Sequence, residues 1–284
     1  MSRRFLILRN VLKVWFVLAA FALLLGALGW ELGGYRVGVL FIASSVLLAA
    51  ALYWYADRIV MGMVGARELL EGEAPALHAT VESLAARARV VKPKLYVLSD
   101  SYPRALSAGR GAGGGAGLAV SVGLIGVASP AELEGIVAHE LAHLRHRDVL
   151  VQTIAVIVSA VVVELARVGG FLQRAFLFVL GPIAAAFVHL LLSQKREYDA
   201  DRFAAELCDS PHGLADALLR LEQAMQLVGF EASPTTEPLW TFNPFMEEGL
   251  AALFVTHPRI EERVRRLRAL DPEWRDKVRS SAAA

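Results

Sequence analysis

Four long apolar segments constrain this chain more than any other feature of its sequence. The first two run over 11–30 and 37–55, and each is close to the roughly 20 residues that an α-helix needs to cross a bilayer core. The short connection ELGGYR between them predicts a helical hairpin. A cleaved signal peptide is the alternative for the first segment. Its apolar core is too long for that, and a second span follows directly, so we predict an uncleaved anchor.

The other two apolar segments run over about 150–168 and 171–192, and they contain Glu164 and His189. Ionisable groups are rare and costly inside a membrane span. Length and apolarity favour a second pair of spans, and two helices only partly sunk in the membrane are the alternative. Both ionisable residues lie near the ends of their segments, where contact with the membrane interface accounts for them.

The composition is typical of a membrane protein. Apolar residues make up 56% of the 284 residues, above the roughly 45–50% of ordinary soluble domains, and the mean hydropathy is +0.48. The net charge is +1 without any block of like charge, so we expect no nucleic-acid partner. The single cysteine, Cys208, excludes intrachain disulfides and zinc sites built on several cysteines. We expect it to be a small buried apolar residue.

Basic residues flank the first hairpin unequally. The connecting loop has only Arg36, whereas six basic residues precede the first span or follow the second: Arg3, Arg4, Arg9, Lys13, Arg58 and Arg67. The positive-inside rule therefore places both ends of the hairpin in the cytoplasm. If the next two segments also span, the polar regions 57–149 and 193–284 share that compartment and can fold together as one split domain.

Short β patterns and a glycine run occupy the first polar region. KLYVLSD (94–100) predicts a strand, and LAVSVGLI (118–125) predicts another that is a candidate edge strand. GRGAGGGAG (109–117) lacks the GKS or GKT ending and the strand-to-helix context of a phosphate loop, so it predicts a mobile loop instead.

The segment ASPAELEGIVAHELAHLRHRD is the strongest helical pattern in the polar regions. Ser129 is placed to cap it, with Pro130 at the first position and Glu132 three residues after the cap. On a helical wheel one face is polar and the opposite face is apolar. The polar face carries Glu132, His139, His143 and His146, and the apolar face carries Leu133, Val137, Leu141 and Leu144.

Two histidines one helical turn apart can share a tetrahedral zinc ion, and HELAH offers His139 and His143. Zinc lowers the pKa of its water toward neutrality, and Glu140 would take that proton as general base. A histidine-rich surface helix is the alternative. A third histidine of the extended motif would fall at Val149, which excludes that class. His146 has no familiar ligand spacing, and we expect a solvated surface histidine there.

A glutamate from a second helix is the other source of a third ligand. In SQKREYDADRFAAEL, Glu197 and Asp201 lie four residues apart and share a helix face. Glu197 would complete the ligand set, and Asp201 would orient a ligating imidazole. A charged, solvated helix surface is the alternative interpretation of the same spacing.

HELAHLRHRD, the apolar pair and REYDADRFAAEL together resemble the HtpX family of membrane zinc metalloproteases, relatives of the CAAX prenyl proteases. The closing GLAALFVTHPRIEERVRRL also resembles the C-terminal part of that family. The resemblance implies one zinc ion held by His139, His143 and Glu197, with Glu140 as the catalytic base and Asp201 behind the ligands. It also implies a cytoplasm-facing endopeptidase of the bacterial inner membrane, concerned with quality control of misfolded membrane proteins.

Two further positions follow from the resemblance. His257 matches a family position near the active site, where it would steady an oxyanion, and a structural role at the start of the IEERVRRL helix is the alternative. The family's Pro-Asn-Ala segment before its substrate-binding edge strand corresponds here to SYPRALSAG, with Arg104 in place of Asn. This departure bears on the substrate edge and not on the metal site. If LAVSVGLI is the edge, substrate adds to it as an extended strand.

The expected fold is α+β and mainly α, with transmembrane helices and a gluzincin-like catalytic domain around a small β-sheet. Its parts are the hairpin 1–56, a first catalytic part 57–149, the hydrophobic pair 150–192 and a second catalytic part 193–284. Expected partners are protein or peptide substrates, above all membrane proteins, and the lipid bilayer. A zinc-containing membrane scaffold or signalling component is disfavoured by the intact Glu140. An intramembrane-cleaving protease is disfavoured because HELAH lies in a polar segment.

Overall fold

The computed structural model describes residues 3–153, 194–227 and 258–271. Over these ranges the chain is mainly helical and carries a small mixed sheet, as expected. The helices are α1 (Arg3–Met63), α2 (Pro75–Ala88), α3 (Val122–Val127), α4 (Pro130–His146), α5 (Gln194–Leu207), α6 (His212–Leu227) and α7 (Ile260–Arg268). The strands are β1 (Arg67–Glu68), β2 (Lys94–Leu98), β3 (Ala105–Gly109) and β4 (Ala116–Ser121).

Helix α1 is broken into two arms at Gly33 and Gly34, which have non-helical dihedral angles. The two arms fold back on each other, and a glycine lies where they come close together. A Cβ atom at Gly29 would lie 2.9 Å from the carbonyl oxygen of Val37 and 2.9 Å from the ring of Phe41. The two arms form the helical hairpin predicted from ELGGYR, and its crossing of a membrane stays a prediction. The stretch Leu25–Met63 is long and apolar enough to cross a membrane by length and composition.

The second predicted pair of spans, 150–168 and 171–192, falls almost entirely outside the described residues. Glu164 and His189 lie outside them as well. Those segments therefore stay a prediction.

The sheet has the strand order β1-β2-β4-β3. Strands β2 and β4 are parallel, while β1 and β3 pair antiparallel with β2 and β4. KLYVLSD contains β2, as predicted. The prediction of LAVSVGLI as an edge strand is wrong, because β4 lies between β2 and β3 and ends at Ser121, whose side chain caps α3. The edge strand that contacts α4 is β3, with the sequence ALSAG.

The glycine run forms the connection between β3 and β4. Gly109 and Gly111 adopt φ angles of +120° and +96°, which residues other than glycine rarely adopt. The Arg110 amide donates to the Gly115 carbonyl at 2.8 Å. The Arg110 guanidinium lies 4.3 Å from the centre of the Trp54 ring. These contacts attach the turn to the end of the hairpin.

Helix α4 lies in the middle of the core, packed against α2, α5, α6 and β3. The predicted capping box is confirmed, with Ser129 and Glu132 bonded to each other's amides at 3.3 and 2.7 Å. The polar face that carries His139 and His143 is buried as well as the apolar face, so the alternative of a histidine-rich surface helix is wrong. One hydrophobic cluster takes residues from both polar regions, from α2, β2, β4 and α4 in the first and α5, α6 and α7 in the second. The two regions therefore share a core.

Gly135 allows the close approach of α4 and α6, and this predicts a stability effect. A Cβ atom there would lie 2.5 Å from the Leu214 amide nitrogen and 2.8 Å from its Cα. Because backbone atoms cannot rotate away, we expect Gly135→Ala to lower the free energy of unfolding by about 1–3 kcal/mol. Gly126→Ala is the control, since a Cβ there meets no described atom within 4 Å. Thermal unfolding in detergent compares the two, and equal melting temperatures would contradict the prediction.

Candidate metal centre

The HELAH turn of α4 brings two imidazoles together inside the protein. His139 and His143 are one turn apart, and their Nε2 atoms lie 3.2 Å from each other. Their rings meet edge to face, and both side chains are buried. Two neutral imidazoles that present lone pairs at this distance repel each other unless a proton or a cation lies between them.

Helix α5 supplies a carboxylate to the same point. Glu197 lies in its first turn and is fully buried, and its Oε2 atom is 3.5 Å from His139 Nε2 and 3.7 Å from His143 Nε2. The Arg196 guanidinium donates to the other carboxylate oxygen, Oε1, at 3.2 Å. Ala200 and Ala204 are buried on the same helix, and their small size allows α5 to approach α4 closely. Glu197 is therefore not part of a solvated helix surface.

Among the residues that the structure describes, these three side chains form a cluster that could hold a metal ion. A tetrahedral zinc ion with ligand atoms at about 2.0–2.2 Å requires separations of roughly 3.3–3.6 Å between them, and the three distances of 3.2, 3.5 and 3.7 Å fit. The surrounding charge fits as well. With both imidazoles neutral, as metal ligands are, four carboxylates and two guanidinium groups differ by two charges, which one divalent cation balances. The groups are Glu140, Asp148, Glu197, Asp201, Arg196 and Arg263.

Asp201 stands behind His139, one turn after Glu197 on α5. Its Oδ1 atom lies 2.9 Å from His139 Nδ1, which holds the proton on Nδ1 and leaves the Nε2 lone pair for a ligand. The buried Arg263 of α7 donates to both oxygens of Asp201 at 2.6 and 2.9 Å. Burial opposes ionisation of Asp201, yet Arg263 lowers its pKa to about 2. Asp201 is therefore an anion at neutral pH.

Asp148 lies on the corresponding side of His143, at a longer distance. Arg147 ends α4 in a left-handed conformation with φ of +58°, and this turn brings Asp148 back toward the helix. The Asp148 Oδ2 atom lies 3.7 Å from His143 Nδ1. Each histidine therefore has a carboxylate near the ring nitrogen that faces away from the cluster.

Glu140, the proposed base, is buried beside the histidines and contacts the sheet. The Ser107 hydroxyl of β3 donates to its Oε2 atom at 2.6 Å. Strand β3 packs on α4 because its small residues permit a close approach. The edge strand and the HELAH helix are thus joined at Glu140.

The other predicted residues lie around this centre or outside the described chain. His146 is not solvated as expected: it is half-buried and packs edge to face on Phe203 at 5.8 Å. The Arg104 side chain bonds Asp100. Cys208 is half-buried against the core, where burial raises the pKa of its thiol to about 12. His257 lies outside the described residues, and its role stays a prediction.

Three residues of the site were not found from the sequence. Asp148 has a weak local signal, since it follows the second histidine by five positions in the same motif. Arg263 lies in a strongly basic helix that suggests a solvated surface, and only its spacing from Ile260 and Leu267 marks the buried face. Ser107 has no local signal, because its contact with α4 arises from tertiary packing.

Comparison with known proteins identifies the family of this chain. The sequence model of Peptidase family M48 matches residues 71–271, which include every residue of the centre described above. The chain belongs to peptidase family M48. This M48 peptidase is 35% identical over 279 residues to the "Protease HtpX homolog" of Pelotomaculum thermopropionicum, covering 92% of the chain and 99% of the relative. It is 38% identical over 273 residues to that of Pyrococcus abyssi, covering 89% and 94%.

A solved structure is also similar to this M48 peptidase. The crystal structure of S. mikatae Ste24p aligns with a TM-score of 0.48 at 18% identity, covering 92% of the chain and 64% of Ste24p. The M48 match and the HtpX homologues make the chain an HtpX-like metalloprotease, as HELAHLRHRD and REYDADRFAAEL predicted. Such a family implies a metal, and the cluster of His139, His143 and Glu197 is able to bind one.

Arg263 predicts a large stability effect. Removing it in Arg263→Ala leaves the Asp201 charge buried without its strongest partner, so we expect a loss of about 3–5 kcal/mol in the free energy of unfolding. Because folding lowers the pKa of Asp201, the pair contributes fully above pH ~4 and its contribution disappears as the pH falls toward about 2. Arg265→Ala, at a side chain 71% exposed, is the control. Matching thermal unfolding curves at neutral pH would contradict the prediction.

Metal binding should displace a proton from His143. Burial lowers the pKa of an imidazole, but the charge of Glu197 opposes it and, with Asp148 and Glu140, raises the pKa of His143 to about 10. A ligand must be deprotonated, so zinc affinity should rise about tenfold per pH unit near neutrality. Competition with a chromophoric chelator at several pH values measures this. His146→Gln should leave the slope unchanged, and a zinc affinity independent of pH would contradict the prediction.

Proposed function

We propose that this chain is a membrane-bound zinc endopeptidase that hydrolyses peptide bonds of misfolded or damaged membrane proteins at the cytoplasmic face of the bacterial inner membrane. One observation carries the proposal: the donor atoms of His139, His143 and Glu197 converge within 3.7 Å of one another beside the buried Glu140. Membership of the M48 metalloproteases favours this function over a zinc-containing scaffold.

The mechanism assigns a role to each residue of the centre. His139, His143 and Glu197 hold one zinc ion, which when bound lowers the pKa of a water molecule toward neutrality. Glu140 accepts the proton of the attacking water and then donates it to the leaving amine. Asp201 keeps His139 in the tautomer that offers Nε2. His257 is proposed to steady the oxyanion, because the reaction develops negative charge on the carbonyl oxygen.

Strand β3 is proposed to bind the substrate backbone. Arg104 and Ser121 form a hydrogen-bonded pair, and so do Arg110 and Gly115 beyond the other end of the strand. Because such pairs alternate along antiparallel strands, the main-chain groups of Ser107 point away from β4. An extended substrate can add there as a further strand, read through its main chain more than its side chains. The Arg104 backbone bonds Ser121 and its side chain bonds Asp100, so neither occupies the main-chain groups of Ser107.

The placement of β3 relative to the hairpin supports membrane substrates. Leu106 and Ala108 pack in one cluster with Val60 and Met61, which lie in the last turns of α1. The proposed substrate edge therefore lies beside the end of the membrane hairpin. A misfolded membrane protein that exposes an extended segment at the cytoplasmic surface would meet this edge first.

The proposed mechanism predicts that Glu140→Gln abolishes cleavage without removing zinc. A single general base contributes about 10²–10⁴-fold to the rate, and Gln keeps the size and hydrogen bonding of the side chain without accepting the proton. The assay follows cleavage of an unfolded model protein by detergent-purified chain, with zinc measured in the same samples. Glu134→Gln, on the same helix, is the matched control. Equal cleavage by wild type and Glu140→Gln would contradict the proposed mechanism.

A further inference from the structure

A hydroxyl group on the edge strand contacts the proposed general base directly. Ser107 Oγ lies 2.6 Å from Glu140 Oε2, and the two side chains are 1% and 2% exposed. We propose that Ser107 is a positioning residue, which fixes the Glu140 carboxylate for proton transfer. This inference rests on the proposed function.

The strand geometry explains why Ser107 reaches the base. Side chains alternate between the two faces of a strand, and Leu106 and Ala108 pack on the α1 side. Ala105 packs in the cluster that contains α4, so Ser107 shares that face. A buried hydroxyl without a partner is costly, and a buried carboxylate needs donors. The two groups satisfy each other, and no apolar side chain at position 107 would do the same.

The bond is compatible with both protonation states of Glu140. When the base is an anion, Ser107 donates to Oε2 and the proton from water goes to Oε1. Once Oε1 carries that proton, Oε2 is a carbonyl oxygen and still accepts from Ser107. The serine therefore neither gains nor loses a proton during the cycle. Its contribution is to restrict the rotation of a long side chain so that Oε1 stays directed at the water.

The same residue is proposed to serve the substrate through its backbone, since its main-chain groups point away from β4. Kinetics can separate the contribution of the Ser107 side chain to Glu140 from that of the Ser107 backbone to substrate binding. Loss of the side-chain hydroxyl should lower kcat with little change in KM, because the backbone groups that bind substrate are retained.

The test compares Ser107→Thr with Ser107→Val, two variants of the same shape that differ in the hydroxyl. Cleavage of an unfolded model protein is measured per zinc-loaded full-length chain, beside wild type and Glu140→Gln. We expect kcat of the valine variant to be about 10–100-fold below that of the threonine variant, with KM within about twofold. Equal kcat in the two variants, or a difference confined to KM, would overturn the inference.

The melting temperature of the metal-free protein gives a second test that does not depend on activity. With Glu140 present, the valine variant should melt at a lower temperature than the threonine variant, because the carboxylate loses the hydrogen bond from residue 107. With Glu140→Met, which has no carboxylate, this order should disappear or reverse. The same difference in both backgrounds would overturn the inference. If the threonine or the valine variant fails to fold, Ser107→Ala is compared with Ser129→Ala instead. Ser129→Ala weakens α4 at its cap without contacting Glu140. Equal kcat in that pair would overturn the inference about Ser107.

The outcomes also separate the two proposals. Equal cleavage by wild type and Glu140→Gln would overturn the proposed mechanism and the role of Ser107 with it. Loss of cleavage in Glu140→Gln together with equal kcat for threonine and valine would overturn the inference about Ser107 alone.

Discussion

The ion pair between Arg263 and Asp201 is the interaction on which the metal centre depends. Burying a guanidinium or a carboxylate alone is strongly unfavourable, and here each group compensates the other through two hydrogen bonds. Asp201 in turn bonds His139. A helix near the end of the chain is thereby linked through two contacts to the HELAH motif, so the centre forms only when distant parts of the chain have folded together.

The charge of the centre extends this argument. The first polar region brings Glu140 and Asp148, and the second brings Glu197 and Asp201. Two guanidinium groups from the second region, those of Arg196 and Arg263, offset half of this negative charge. A divalent cation offsets the remainder, so its binding would favour the assembled form of the two regions over their separation.

Sequence reasoning succeeded where the signal is local. The capping box, the i to i+4 spacing of HELAH and the same spacing of Glu197 and Asp201 follow from helix geometry alone. The glycine hairpin was predicted from apolar length and a short connection.

It failed where the outcome depends on tertiary pairing. The apolar pattern of LAVSVGLI marks β4 as a strand but does not say whether it lies at the edge, and β3, which forms that edge, was not predicted as a strand. The HELAH face of α4 is buried because groups on α5 and α7 partner its polar side chains, and no pattern within α4 reveals those partners. Arg263 and Ser107 were missed for the same reason.

The position of β3 between the hairpin and the HELAH helix suggests how substrate choice can arise without a side-chain code. A strand edge pairs only with backbone that is extended and has unsatisfied donors and acceptors. If β3 binds substrate as proposed, an intact transmembrane helix, which satisfies its own backbone groups, would not add to it, whereas a locally unfolded segment would. Selection for damaged proteins would then follow from backbone hydrogen bonding, with the hairpin holding the edge near the membrane where such segments emerge. Arg110, which follows β3 and lies over Trp54 of the hairpin, joins these two parts together with the packing of Leu106 and Ala108 on Val60 and Met61.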